Sequence, residues 1–300
     1  MITEFEDFCL WVYVVVDDIW EGLEPLFRRP GPEPECGDAE LIAMTLIGEC
    51  RGWDQETELL ANFRERRSLF PAVPSQSRYN RRRRHLSQGF NLVRRAVLAL
   101  LDLARDRQCA IDSLPVPVVG FHLAPEASRE WAINGASFGK VPSKKQTIYG
   151  YKLHLLVTLG GVILDFELAP ANVTDLEAGE ELLSGHADLD AYGDKGYVSR
   201  AAKEALAAGN GIGLHCASRR NQKEQTPPEV RRLISGARRV VETVNSQLAE
   251  QFGIERNRAH TFAGLCARLY GKLAAHTLCI YLNRLMGEAD PLQIKRLAFN

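Results

Sequence analysis

The sequence lacks a run of apolar residues long enough to cross a bilayer, which takes about 20. The apolar stretch near the start, Phe8 to Val16, is flanked by Glu6, Asp7, Asp17 and Asp18. No basic segment precedes it, so it is not read as a signal peptide. Phe5, Phe8, Val12, Val15, Ile19 and Leu23 fall at helical spacing, which predicts an amphipathic helix ending before Pro25. Paired cysteine motifs are absent as well. The seven cysteines are scattered, with no CxxC. That argues against a disulfide scaffold and a cysteine zinc site, and predicts reduced thiols in a cytoplasmic protein. A charge excess is missing too. The formal net charge is -1, so any polyanion preference must come from how charge is distributed. There is no internal repeat and no low-complexity tract.

What is present falls into two kinds of pattern. Residues 1–107 read as helices. Pro30, Pro32 and Pro34 stiffen a connector, and Asp38 is the expected cap of a second helix. A third helix is predicted from about Gln55 to Arg66. Ser75 is the expected cap of a fourth, and a fifth runs roughly from Asn91 to Arg107. From Cys109 the period changes to that of strands. Ala110 to Leu114, Thr147 to Leu159, Val162 to Leu168, Leu189 to Tyr192 and Ile212 to Cys216 are the expected strands. Helices capped by Thr174 and Ser199 lie between the later ones, and a long helix runs from about Glu229 to Phe252. The order predicts an α/β fold, a mixed sheet with helices on its faces. The expected units are residues 1–107, 108–260 and a C-terminal helical piece, 261–300, packed on the second.

Three acids stand out. Asp112 lies inside an apolar strand, where a charge is costly unless paired, protonated or bound to a cation. Asp194 follows the strand ending at Tyr192-Gly193, and strand ends are where sites assemble in such sheets. Glu242 lies on the long helix beside the stripe of Ala237, Val241, Val244 and Leu248, so it is expected at the seam against the sheet. Each acid alone has a plain structural reading: a turn, a strand end, an ion pair with Arg238. Together they form an oxygen-only set suited to a hard cation such as Mg²⁺ or Mn²⁺. Two such ions support phosphoryl transfer. Asp175, at a helix start, reads as a first-turn acid favoured by the helix dipole.

The bases point the same way. Residues 78–95 hold Arg78, Arg81, Arg82, Arg83, Arg84, Arg94 and Arg95 and no acid. Four arginines in succession encircle a helix, and the reading is a phosphate clamp. Lys152, Arg238 and Arg239 stand nearer the acids, with Lys144, Arg219, Arg220 and Lys223 on neighbouring segments. The alternative is a solvated charge run.

Five stretches carry a resemblance: LFPAVPSQSRYNRRRRHL from Leu69, IDSLPVPVV from Ile111, IYGYKLHLLVT from Ile148, YGDKGY from Tyr192 and RRVVETVNSQL from Arg238. In that order the sequence resembles a bacterial insertion-sequence transposase with an RNase H-like DDE catalytic domain, in particular the insertion-sequence-982 branch. The resemblance implies that Asp112, Asp194 and Glu242 are the catalytic triad holding two Mg²⁺ or Mn²⁺ ions. It implies a helical N-terminal DNA-binding region, with Arg78, Arg81, Arg82, Arg83, Arg84, Lys152, Arg238 and Arg239 meeting DNA. It implies double-stranded transposon ends and target DNA as partners, a homodimer or larger assembly on DNA, and a cytoplasmic, nucleoid-associated protein with no membrane partner. Arg238 matches the arginine four residues before the glutamate in the related tyrosine–arginine–glutamate–lysine signature. Ser235 and Ala249 depart from its tyrosine and lysine. The same residues also fit an RNase H-like nuclease, a domesticated relative, or a DNA-binding protein with an inactive catalytic domain.

Overall fold

The computed structural model describes residues 2, 4–103, 106–141, 145–218 and 225–295. The expected bases Lys144, Arg219, Arg220 and Lys223 lie outside them. The chain forms two compact units. One comprises residues 1–102, 250–254 and 258–300, the other residues 103–249 and 255–257. Among the described residues no helix is long and apolar enough to cross a membrane.

The first unit is helical: α1 (Phe5–Phe27), α2 (Asp38–Cys50), α3 (Glu56–Arg64), α4 (Gln76–His85), α5 (Ser87–Leu100) and, from the far end of the chain, α10 (Phe262–Leu285). Helix α1 runs past Pro25, whose missing N–H costs one bond to the exposed Glu21 turn. Both α2 and α10 are buried around nearly their whole circumference. Such helices need neighbours on every side. Within the stretch expected to pack on the sheet, residues 261–300, α10 packs against α2, α4 and α5 of its own unit.

Buried charge locks these helices together. Glu49, at 7% exposure, receives Arg83 Nη2 and Lys272 Nζ, each at 2.6 Å. Lys272 also donates to Asp54 at 3.2 Å and to the Phe252 carbonyl. Burial pushes the Glu49 carboxyl up, but Lys272 and Arg83 outweigh it and hold it below the usual carboxylate range.

The second unit is built on a six-stranded sheet: β1 (Gln108–Val119), β2 (Ser137–Val141), β3 (Gln146–Thr158), β4 (Ile163–Pro170), β5 (Asp190–Gly193) and β6 (Gly213–Cys216). The order is β2-β3-β1-β5-β6, with β4 also on β3. Strand β1 is antiparallel to β3 and parallel to β5, and β5 is parallel to β6. Helices α6 (Arg129–Ile133), α7 (Asp175–Ser184), α8 (Arg200–Asn210) and α9 (Pro228–Glu250) complete the unit. It is an α/β fold consistent with an RNase H-like domain. Strand β1 continues through Ser113 and Pro115 instead of ending there. Strand β5 covers its edge only at residues 108–110. Beyond that Pro115 and Pro117, two residues apart, share an edge and can leave their missing donors where no strand needs them.

The two sheet faces differ. Ile111, Leu156, Leu182, Leu206 and Tyr197 belong to one apolar cluster beneath α7 and α8. Gly179 on α7 makes room for Tyr197: a Cβ there would lie 2.6 Å from the ring. Helix α9 buries Ile234, Ala237, Val241, Val244 and Leu248, the stripe read from its period.

Candidate active site

Strand register brings the first two acids together. Ala110 pairs with Tyr192 across the parallel β1 and β5. Two residues on, the same register sets Asp112 level with Asp194, which follows the last residue of β5. Asp194 Oδ1 caps a short 3-10 turn by accepting the Gly196 N–H at 2.6 Å.

Asp112 is the strained member. Asn245 on α9 donates to its Oδ2 at 2.9 Å. Burial raises its carboxyl to about 6, against the Ser113 N–H, which favours the charge. Asp194 and Asp175 push it further up, and Arg238 pulls it down. The expectation of an uncomfortable acid in a strand is therefore matched by the environment.

Alternation along β1 and β3 divides what surrounds these acids. Ser113 pairs with His154, and Pro115 with Lys152. Asp175 Oδ1 accepts from Ser113 Oγ at 3.3 Å and from Lys152 Nζ at 3.0 Å. Lys152 also donates to the Val173 carbonyl at 3.0 Å. Its ammonium is thus anchored, with one of three donors left. His154 is fully buried, with Nδ1 3.4 Å from the Tyr197 hydroxyl. Burial lowers its imidazole to about 4, so it is neutral at neutral pH. Beside Asp194, a cleft of about 700 Å³ opens between β6, α8 and the start of α9, lined by Tyr197, Arg200, Lys203, His215 and Cys216.

Glu242 stands elsewhere than expected. It is half exposed and pairs with Arg238 at 3.0 Å. Asn245, three residues on, occupies the seam instead. Among the described residues no three His, Cys, Asp or Glu side chains stand close enough to hold one metal ion. Asp194 and Asp175 thus lie near enough to act on the charge of Asp112, Asn245 bonds it, and Glu242 is turned to Arg238.

The arginine cluster divides along α4. Tyr79, Arg82, Arg83 and Leu86 face inward; Arg78, Arg81 and Arg84 are exposed. Arg82 Nε donates to Asp38 at 2.6 Å, its Nη2 reaches the other Asp38 oxygen, and Arg83 is held by Glu49. Of the five arginines expected to meet phosphate, Arg82 and Arg83 are buried and paired within the helical unit, and the Nε of Arg83 is left without a partner among the described residues. Arg94, also buried, donates to Asn91. Arg238 and Arg239 on α9 are exposed.

Residues 111–262 match the family model described as a transposase DDE domain. The chain belongs to the transposase DDE domain family. The matched span contains Asp112, Asp194 and Glu242, and with them the sheet and α9. Comparison with curated proteins and with solved structures gives no match. Two neighbours of Asp112, Asn245 and Asp175, were given no part in the site by the sequence reading. Asn245 carries no charge to draw attention, and Asp175 has an ordinary first-turn position. The signal for Asn245 was its seven-residue distance from Arg238, which sets both on one face of α9.

Proposed function

We infer that this protein is the transposase of an insertion sequence, in the insertion-sequence-982-like branch. It binds the element's terminal inverted repeats, cuts a strand with water, and directs the freed 3′-hydroxyl onto target DNA. The observation that carries the reading is the alignment of Asp112, inside β1, with Asp194, just past the end of the parallel β5, inside a matched DDE domain.

In this reading Asp112 and Asp194, with Glu242 once it leaves Arg238, would hold two divalent ions. Asp112, Asp194 and Glu242 form an oxygen-only donor set. Asn245 Oδ1, beside Asp112, is buried without a hydrogen-bond partner. Asp112 is repelled by Asp194 and Asp175, a repulsion that a cation relieves. Glu242 is tied by an exposed ion pair worth about 0–1 kcal/mol, so exchanging Arg238 for a ligand role costs little. Bound Mg²⁺ or Mn²⁺ activates an attacking oxygen and stabilises the leaving one.

The chain's own groups do the rest. Asn245 fixes the Asp112 carboxylate. Asp175 and the Val173 carbonyl hold the Lys152 ammonium at the same end of the sheet, where its remaining donor meets a DNA phosphate. Arg238 and Arg239 meet the strand along α9. The helical unit supplies DNA binding through Arg78, Arg81 and Arg84. Two ends are joined in a dimer or larger assembly on DNA, in the cytoplasm at the nucleoid.

Purified protein incubated with the DNA flanking its gene tests this. Strand cleavage at inverted repeats is expected with Mg²⁺ and not with Ca²⁺. Absence of cleavage at those ends with either Mg²⁺ or Mn²⁺ contradicts it.

A further inference from the structure

Arg78, Arg81 and Arg84 recur every three residues and are exposed, so they form one stripe along α4. Arg84, at its end, also lines a cavity of about 120 Å³ within the helical unit, together with Arg83, Arg258, His260, Arg268 and one carboxylate, Glu56. That volume is below the roughly 300 Å³ at which pockets for larger ligands begin. It suits a single phosphate group.

Glu49 holds Arg83 through Nη2 at 2.6 Å but leaves another of its donors unused. Arg83 is 4% exposed, and its Nε is a buried donor with no partner. Burial, and after it the charge of Arg83, lowers the Arg268 guanidinium from its usual value. Glu56 is the one acid lining the cavity. It stands 3.9 Å from Arg83 and 3.8 Å from Arg268, and it already accepts from Asn80 at 2.8 Å. Arg84, Arg258 and His260 are exposed at the rim. Helix α10 starts here, with its Thr261 cap and Gly264 in the wall. Its positive end adds to the same potential.

We propose that this cavity binds one backbone phosphate of DNA, as the end of the track laid by Arg78, Arg81 and Arg84. The proposal rests on the reading of the helical unit as the DNA-binding part. Guanidinium forks match phosphate oxygens in geometry, and the unpaired Arg83 Nε is a buried donor that an oxyanion would satisfy.

The test uses the full chain and a duplex carrying the element's end. Arg258→Gln and Arg84→Gln change exposed side chains and leave the fold intact by circular dichroism. Each is expected to weaken binding on all sequences alike and to reduce the slope of log K against log salt by about one. An unchanged slope in Arg258→Gln, with wild-type binding intact, overturns the proposal whatever Arg84→Gln does, and leaves the DNA-binding reading standing on Arg78 and Arg81; an unchanged slope in Arg84→Gln removes Arg84 from that reading as well. Absence of DNA binding by the wild-type chain overturns that reading, and the proposal falls with it. Inorganic phosphate is the second arm. If millimolar phosphate raises the melting temperature of wild type but not of Arg258→Gln while the slopes stay unchanged, the site takes a free phosphate, and DNA as its source is refuted.

Discussion

Asn245 on α9 donates a 2.9 Å hydrogen bond to Asp112 on β1. One bond thereby joins the long helix to the strand carrying the first acid, and does so where the acid is hardest to keep charged. A hydrogen bond to a charged group is worth about 1.5–3 kcal/mol. Asn245→Leu is therefore expected to destabilise the sheet unit by that amount at pH 8, where Asp112 is ionised. At pH 5 the loss is smaller, because the carboxyl, raised to about 6, is protonated. Denaturant unfolding at both pH values checks this; equal losses contradict it.

The same carboxyl sets the pH dependence of ion binding. Its folded-state pKa is raised, so the proton is held more tightly than in a free carboxylate, and an ion must displace it. Mg²⁺ or Mn²⁺ affinity is expected to fall as pH drops through about 6. Asp112→Asn should remove that dependence along with most of the affinity. Titration calorimetry at pH 5.5 and 8 reads the change.

The helical unit responds to acid for different reasons. Burial pushes the His276 imidazole down to about 3, and Glu49 is held below its usual range by Lys272 and Arg83. Both folded-state values lie below the unfolded ones. Their stability is full above the unfolded pKa and is lost as pH falls. For His276 the loss begins near its ordinary value of 6.5 and proceeds at up to about 1.4 kcal/mol per pH unit. His276→Phe is expected to flatten the slope between pH 6.5 and 5, where the Glu49 contribution is still constant.

The arginines of α4 should separate cleanly. Arg83→Ala leaves Glu49 partly uncompensated, and breaking such a buried pair costs about 3–5 kcal/mol. Arg81→Ala, on the exposed face, should change stability by less than about 0.5 kcal/mol and still weaken DNA binding. Thermal unfolding beside an electrophoretic shift assay distinguishes the two.

Much of this was legible in the sequence because it depends on local pattern. Thr174 and Ser199 cap the helices assigned to them, whereas Asp38 is the first residue of α2 and Ser75 makes no side-chain cap bond; the α9 stripe follows from its period. Asp112 and Asp194 stood out as acids in or beside apolar strands. The five-residue β2 did not, since Ser137, Gly139 and Lys140 leave too little alternation to read. The placement of α10 is a tertiary matter: an apolar helix is equally legible against a sheet or among helices, and only its burial all round decides. That the arginine run encircles α4 was legible, but not which of its members turn inward. Tyr79, Arg82, Arg83 and Leu86 follow the inward period of α4, and their partners Asp38 and Glu49 lie more than 30 residues away. Glu242 was expected in the seam that Asn245 fills, three residues along the same margin.

The central claim is that Asp112, Asp194 and Glu242 are the three acids of one phosphoryl-transfer site. Strand transfer of an inverted-repeat end into target DNA, with Mg²⁺ present, measures it in single alanine variants of each. The account predicts that all three lose strand transfer while DNA binding survives. Strand transfer retained in any one of them, Glu242→Ala above all, contradicts it.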